Sequence, residues 1–366
     1  MAVGRLRRDA RSVRPIRRDA HRPERERDAG QRDEQLDDRA RAAAGQTPDR
    51  DREHGLSVSD TSPVPELPMR DPRGHKGTFG TVAVVGGCAR RESPMIGAPV
   101  LAARAALRGG CGLVRLVTPE PIIIQALSLT PSATGVAIPT DDEGTPGADR
   151  VVIEALTSAD SIVVGPGLGT DHLKHHPIAE LVRTTVEVGA PTVIDADGLN
   201  ALVSGEMLHR VDLSRCVLTP HPGEYARLAT ARGIGADPTD EDERPEAAAL
   251  LAKSLGCVVV LKGAGTVVSD GNRSWVCGHG HACLGTAGTG DVLAGLTGSL
   301  IAQHAERGMS LYDLSRIAVQ AHALGGESWA QRKQAHAGLL ASELADELPG
   351  VLAGLTAGGA SPSRRA

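Results

Sequence analysis

The runs SIVVGPGLG at Ser161–Gly169 and TVIDADGLNAL at Thr192–Leu202 share one design: a short unbroken apolar stretch, then small or acidic residues, then a helical pattern. An apolar run without polar alternation belongs to a strand covered on both faces, as in the interior of a parallel sheet. Small and turn-forming residues straight after it mark the strand's carboxyl end, where the chain leaves for a crossover helix. The same texture recurs on either side. Apolar runs at Thr81–Val85, Leu113–Val117, Val217–Leu218 and Val258–Leu261 end in Gly86-Gly87, Thr118-Pro119, Thr219-Pro220-His221 and Lys262-Gly263. Helical patterns at Ala98–Leu107, Ile178–Val188 and Pro245–Leu255 lie between them. This alternation predicts one doubly wound α/β domain, its sheet mostly parallel and its helices on both faces. The segments Thr266–Ser269 and Ser274–Cys277, joined by Asp270-Gly271-Asn272, read instead as a hairpin, which predicts a short antiparallel edge.

The flanks differ in kind. Residues 1–62 are dense in Arg and Asp and show no hydrophobic period, so they are expected to be disordered; their interspersed acids weigh against a basic nucleic-acid arm. Residues 353–366 are rich in Gly, Ala and Ser and are expected to fray. The predicted organisation is a charged segment 1–62, a domain over 63–352 and a flexible tail 353–366. Hydrophobic residues make up 40% of the 366-residue chain, enough to drive collapse of a large core. Aromatic content of 1% leaves almost no platforms for stacking bases, and a net charge of −5 gives no global basic field, so no nucleic-acid partner is expected. Six scattered cysteines without a CxxC pair suggest a reducing, cytoplasmic setting. The absence of a long apolar run or an apolar leader predicts neither membrane insertion nor export.

In open α/β sheets ligands bind beyond the carboxyl ends of the strands, and here those ends gather glycines and polar groups. The strongest local signal is GTAGTGDVLAG at Gly285–Gly295, a glycine-rich loop running into an apolar helix over Val292–Gln303. Small residues let backbone N–H groups approach a phosphate, and a helix start adds free donors and the positive end of its dipole. Asp291 falls at that helix start, where its carboxylate either caps the helix or faces the bound phosphate.

Taken in order, HKGTFG (75–80), VVGPGLG (163–169), VIDADGLNAL (193–202), LTPHPGE (218–224), LKGAGT (261–266), GTAGTGDVLAG (285–295) and AHALGGE (321–327) resemble the ADP- or ATP-dependent (S)-NAD(P)H-hydrate dehydratase family. The resemblance covers roughly His75 to Pro349 and implies a ribokinase-like fold. It implies dehydration of the S epimer of hydrated NADH or NADPH by phosphorylation of the C6 hydroxyl and elimination of phosphate. ADP or ATP would be the co-substrate, Mg²⁺ the cofactor and a homotetramer the assembly. Many members carry an N-terminal epimerase domain, for which the first sixty or so residues leave no room.

The resemblance also assigns residues. Asp291 would be the catalytic base and contact substrate; a carboxylate suits this because the base must be ionised near neutral pH and within hydrogen-bond reach. Gly288, Thr289 and Gly290 would form the anion hole for the transferring phosphoryl group. Lys262, Gly263, Ala264, Gly265 and Thr266, with Gly290, would bind the adenine nucleotide. His221, held between two prolines, would contact the hydrate. Ala98 and Gly167 would lie close to it, or serve helix packing, since both are small. Asp195 and Asp197 either organise Mg²⁺ through water or cap the following helix.

The chain departs from the family at Cys277-Gly278-His279-Gly280-His281-Ala282-Cys283, where His281 stands in place of the usual Asn. The Cys-x-His-x-His-x-Cys spacing has the look of a zinc cluster, yet four ligands on one face of an extended segment do not easily make a tetrahedron, so no structural zinc is expected. His281 is expected instead to be a polar contact to nucleotide or substrate. Two rivals are a small-molecule kinase of the same fold, of hydroxyethylthiazole or sugar kinase type, and a non-catalytic nucleotide-binding regulator. The HPGE and KGAGT segments weigh against the first and an intact Asp291 against the second. A Rossmann oxidoreductase is a weaker rival still, because Val85-Gly86-Gly87-Cys88-Ala89 lacks the Gly-x-Gly-x-x-Gly spacing.

Overall fold

Valine and isoleucine crowd the apolar runs, and β-branched side chains favour the extended backbone. The computed structural model describes residues 57–170 and 177–358. In it every predicted run is a strand, and two further strands join them: β1 is Val58–Ser59, β2 Thr81–Val85, β3 Leu113–Pro119, β4 Thr134–Ile138 and β5 Ser161–Val164. Then come β6 Thr192–Ile194, β7 Cys216–Leu218, β8 Val258–Leu261, β9 Val267–Ser269 and β10 Arg273–Val276. They form one sheet in the order β1-β10-β9-β8-β7-β6-β5-β2-β3-β4, parallel from β8 to β4. The predicted hairpin is β9–β10, its two strands antiparallel to each other, and β9 pairs antiparallel with β8. Short β1 then adds outside it, parallel to β10. Sequence patterning missed β1 and β4. The first is two residues long, and the second, TGVAI, is an edge strand whose exposed start carries no apolar run.

The helices are α1 Gly97–Arg108, α2 Ile123–Leu129, α3 Arg150–Thr157, α4 Pro177–Glu187, α5 Asp197–Leu202 and α6 Pro222–Arg232. They continue with α7 Arg244–Leu255, α8 Thr289–His304, α9 Leu311–Lys333 and α10 Ala341–Gly354. Two cores result, one per face. Val82, Val84, Leu116 and Val163 pack with α1, α8, α9 and α10, whereas Ala83, Val85, Val117 and Ile162 pack with α3, α4, α6 and α7. Neighbours along one strand thus serve opposite cores, which is why the runs are continuous rather than alternating.

Both predicted boundaries move outward. The segment expected to be disordered up to residue 62 is tied to the domain from Ser57 onward. Val58 N donates to Asn272 O, and Ser62 O accepts from the buried Arg316, which also faces Asp60 at 3.3 Å. A fully buried guanidinium needs such partners, and polar residues of this segment supply them. Likewise the tail expected from 353 still holds structure: α10 runs to Gly354, and Ala357 N donates to Leu67 O at 2.9 Å. The disorder expected for residues 1–56 and the fraying expected for 359–366 lie outside the described residues. Among the described residues no helix is long and apolar enough to cross a membrane.

Strand order reverses between β2 and β5, because β3 and β4 extend one way and β6, β7 and β8 the other. The crevice at such a switch point, beyond the carboxyl ends, is where this architecture receives ligands.

Candidate active site

The sheet's hydrogen bonding continues past the strand ends. Gly165 N donates to Val85 O, Asp195 N to Val164 O, Thr219 N to Ile194 O and Lys262 N to Pro220 O. The residues that follow five strands are thereby set side by side along one edge. At its centre Lys262 Nζ lies 2.6 Å from Asp195 Oδ1 and 3.8 Å from Glu224 Oε2. The Thr219 hydroxyl donates to the same Asp195 oxygen at 2.7 Å. Asp195 and Glu224 are buried, and this ammonium, with hydrogen bonds from Thr219 to Asp195 and from His221 N to Glu224, compensates their charges. Although burial works against its charge, Asp195 and then Glu224 hold the pKa of Lys262 above the ordinary lysine value.

Ala196 turns the chain between the two acids with φ 50, a left-handed conformation rare outside glycine, and α5 begins straight after it. Such strain persists where the surroundings over-determine it. Asp197 accepts from Gly169 N at 2.8 Å, and no side chain caps α5, so the capping alternative is not how these acids are used.

The helix after the glycine-rich loop starts earlier than its apolar pattern suggested, at Thr289 rather than Val292, because small residues occupy its first turn. Gly288 is the N-cap with φ 91, where a side chain would be strained and would meet Leu101 at 2.6 Å. Asp291 therefore lies inside the first turn and makes no capping bond. Its carboxyl is half-buried. Burial and then the Asp195 charge, with a smaller push from Asp197, raise its pKa to about 7 against the opposing pull of Lys262. Three carboxylates, Asp195, Glu224 and Asp291, thus act on one ammonium, and Asp197 adds its charge beside Asp291.

The other predicted residues converge on this edge to different degrees. Gly167, at the switch point with φ 66, is buried against Ala98 and Met95; a Cβ there would stand 3.2 Å from Ala98 Cβ and 2.6 Å from Met95 Sδ. His221 is exposed and caps α6, its Nδ1 accepting from Gly223 N and Glu224 N, while its Nε2 lies 3.4 Å from Glu224. Gly263, Ala264, Gly265 and Thr266 follow Lys262 as a largely accessible loop beside the edge. That loop rests on Arg244, whose Nη2 donates to Leu261 O at 3.0 Å and whose Nη1 donates to Pro238 O at 2.6 Å.

His281 accepts a bond from Cys283 N and stacks on His336, with ring centroids 5.3 Å apart. The neighbouring thiols are engaged elsewhere, Cys277 with His279 O and Cys283 with Gly326 O.

Glu224, Arg244, Thr219 and His322 belong to this assembly and were not singled out from the sequence. Glu224 and Thr219 stood inside the quoted LTPHPGE run. Arg244 had a readable signal, an Arg-Pro pair opening a helix, but nothing tied it to the loop some twenty residues on.

Comparison with known proteins follows the same outline. Residues 82–350 match the family model of NAD(P)H-hydrate dehydratase. The chain is 36% identical over 298 residues to the bifunctional NAD(P)H-hydrate repair enzyme of Moorella thermoacetica, covering 79% of this chain and 52% of that one. It is 36% identical over 276 residues to the ADP-dependent (S)-NAD(P)H-hydrate dehydratase of Neisseria meningitidis, covering 74% and 84%. Among solved structures, the ADP/ATP-dependent NAD(P)H-hydrate dehydratase of Bacillus subtilis, co-crystallised with ATP and Mg²⁺, superposes with a TM-score of 0.60 at 27% identity, covering 78% and 93%. The chain spans about half the length of the first bifunctional relatives it matches. The fold is ribokinase-like. Motif order, edge geometry and these likenesses agree: the chain belongs to the NAD(P)H-hydrate dehydratase family.

Proposed function

We propose that this chain restores NADH and NADPH from the S epimer of their hydrates, using ADP or ATP. The observation that carries the reading is the first turn of α8: an uncapped helix start beside Lys262, with Asp291 in it and its ionisation poised near neutrality. A carboxylate with that pKa is a competent base at physiological pH.

In this reading the nucleotide lies along Lys262–Thr266, and its terminal phosphoryl group is held by the backbone N–H groups of Gly288, Thr289 and Gly290. Ala98, Gly167 and His221 border the hydrate. Asp291 takes the proton of the C6 hydroxyl as that oxygen bonds to phosphorus and the bond to the leaving nucleotide breaks. The ring nitrogen's electron pair then expels phosphate from C6. Loss of a proton from C5 restores the dihydropyridine.

The donor set suits Mg²⁺. The carboxylates outnumber the ammonium of Lys262, and among the described residues Asp195 Oδ2 has no hydrogen-bond partner while Oδ1 is held by Lys262 and Thr219. Asp195 and Asp197 would hold the ion through water, since Mg²⁺ keeps much of its hydration and binds mainly through phosphates and one or two carboxylates. When bound, it supplies neutralisation of phosphate charge.

The test is to supply S-configured NADH hydrate with Mg²⁺ and either ADP or ATP and follow the return of NADH absorbance. Recovery with one nucleotide supports the reading and names the phosphoryl donor. Absence of recovery with both, together with a stable phosphorylated product from another alcohol, would make the chain a kinase.

A further inference from the structure

The run AHALGGE, Ala321–Glu327, is part of the family resemblance yet has no place in the mechanism above. It lies within α9, and its inward face is fastened to the stretch that ends in the glycine-rich loop. His322 Nε2 lies 2.9 Å from the Thr289 carbonyl. Gly326 accepts a weak bond from Cys283 Sγ, and a side chain there would come within 2.6 Å of Leu284. Glu327 accepts from Gly280 N at 2.8 Å. Residues 322 and 326 are one helical repeat apart, so they share a face.

Thr289 joins these attachments to the anion hole. Its hydroxyl lies 2.9 Å from Leu284 O and 3.0 Å from Thr286 O, drawing the loop around the helix start. Its carbonyl can only accept, so the proton of His322 sits on Nε2. Burial holds this ring neutral, with a pKa near 4, and the charge of Lys262 adds to that effect. The peptide linking Thr289 to Gly290 is planar and trans, so its carbonyl and its N–H point in opposite directions. A contact that fixes the Thr289 oxygen also fixes where the Gly290 N–H aims. That N–H is one of the free donors of the helix start.

We propose that His322 is a positioning residue of the anion hole: by holding the Thr289 carbonyl, it aims the Gly290 N–H at the phosphoryl group, with the AHALGGE face of α9 as the buttress of the loop. This rests on the reading of the α8 start as the phosphate site. A residue that merely filled space could be exchanged for any other of similar volume. A positioning donor tolerates only an exchange that keeps the donor in place.

The variants His322→Gln and His322→Asn separate the two cases, because a Gln amide nitrogen reaches the position of Nε2 and an Asn amide that of Nδ1. Melting temperature, binding of ADP with Mg²⁺ by calorimetry, and kcat and KM for hydrate dehydration are measured on both. The Gln variant should retain turnover within about threefold, whereas the Asn variant should lose on the order of tenfold to a hundredfold in kcat, the scale of a small misplacement in an active site. Hydrate KM should stay close to normal, and the two variants should melt alike. Equal turnover in both variants, or losses that simply follow melting temperature, would overturn the proposal. If the unaltered protein proves unable to dehydrate the hydrate, the proposed function fails by itself. The binding comparison then decides this inference: weaker ADP binding in Asn than in Gln supports it, and equal binding contradicts it.

Discussion

Helices α6 and α8 both start at the ligand-facing edge of the sheet and both carry an acid at the third position of the first turn, Glu224 in one and Asp291 in the other. Their donors meet different fates. In α6 the first residue is Pro222, which has no N–H, and the next two donors are taken by the His221 ring. Glu224 reaches back to His221 N at 2.8 Å and closes the box. In α8 the cap is Gly288, which has no side chain to accept with, and Asp291 makes no capping bond. A shorter acid beside a bare cap leaves the donors of α8 facing outward, and a longer acid beside a histidine seals those of α6. One position in two similar turns thus yields a structural acid in one helix and a chemically available one in the other.

The comparison breaks most visibly at Asp291. The Asp291→Asn variant keeps the side chain's size but cannot accept a proton, and turnover should fall on the order of a hundredfold to ten-thousandfold. Nucleotide binding by calorimetry should persist, because a negative charge has left the phosphate site. If more than about a tenth of turnover survives, well short of the loss of a base, Asp291 is as structural as Glu224.

The same variant should also be more stable at high pH. The folded-state pKa of Asp291 is raised to about 7. An exposed carboxyl in the unfolded chain titrates near 4. The native protein therefore loses stability from this group as pH rises from the lower value through the higher one. Thermal melts at several pH values should show Asp291→Asn gaining on the order of a few kcal/mol over the unaltered protein at pH 8. That advantage should shrink toward nothing at pH 4. An advantage independent of pH would show that the carboxyl is not strained by ionisation.

The smallest effect belongs to α6. His221→Ala removes a cap and should cost about 1 kcal/mol in stability, read from denaturant unfolding. The loss there is of folding energy and of one border of the hydrate site, whereas at Asp291 it is of the reacting base.

Much of this was legible because parallel sheets announce themselves. Unbroken apolar runs gave the strands of the interior, and the motifs after them gave the edge where Asp195, His221, Lys262 and Asp291 gather. What was not legible depended on long-range partners. The burial of Arg316 against Asp60 and Ser62, which extends the domain to Ser57, joins segments remote in sequence and leaves no local pattern. Edge strand β4 carries too little buried surface to be marked by apolar residues. The true start of α8 was hidden because Gly, Thr and Asp have weak helix propensity and are held helical by the packing of the apolar turns that follow. That shift moved Asp291 from the cap into the turn, the step that separates the two readings of its carboxylate.

The most direct test is the pH dependence of kcat/KM for restoring NADH from its S hydrate, since that quantity reports ionisations of the free enzyme. With Asp291 as the base, kcat/KM should climb about tenfold per pH unit on the acid side and level off above about pH 7, where the carboxyl ionises. The residual rate of Asp291→Asn should lack that limb. A profile for the unaltered protein that stays flat from acid pH through neutrality, or one that Asp291→Asn reproduces, would contradict the account.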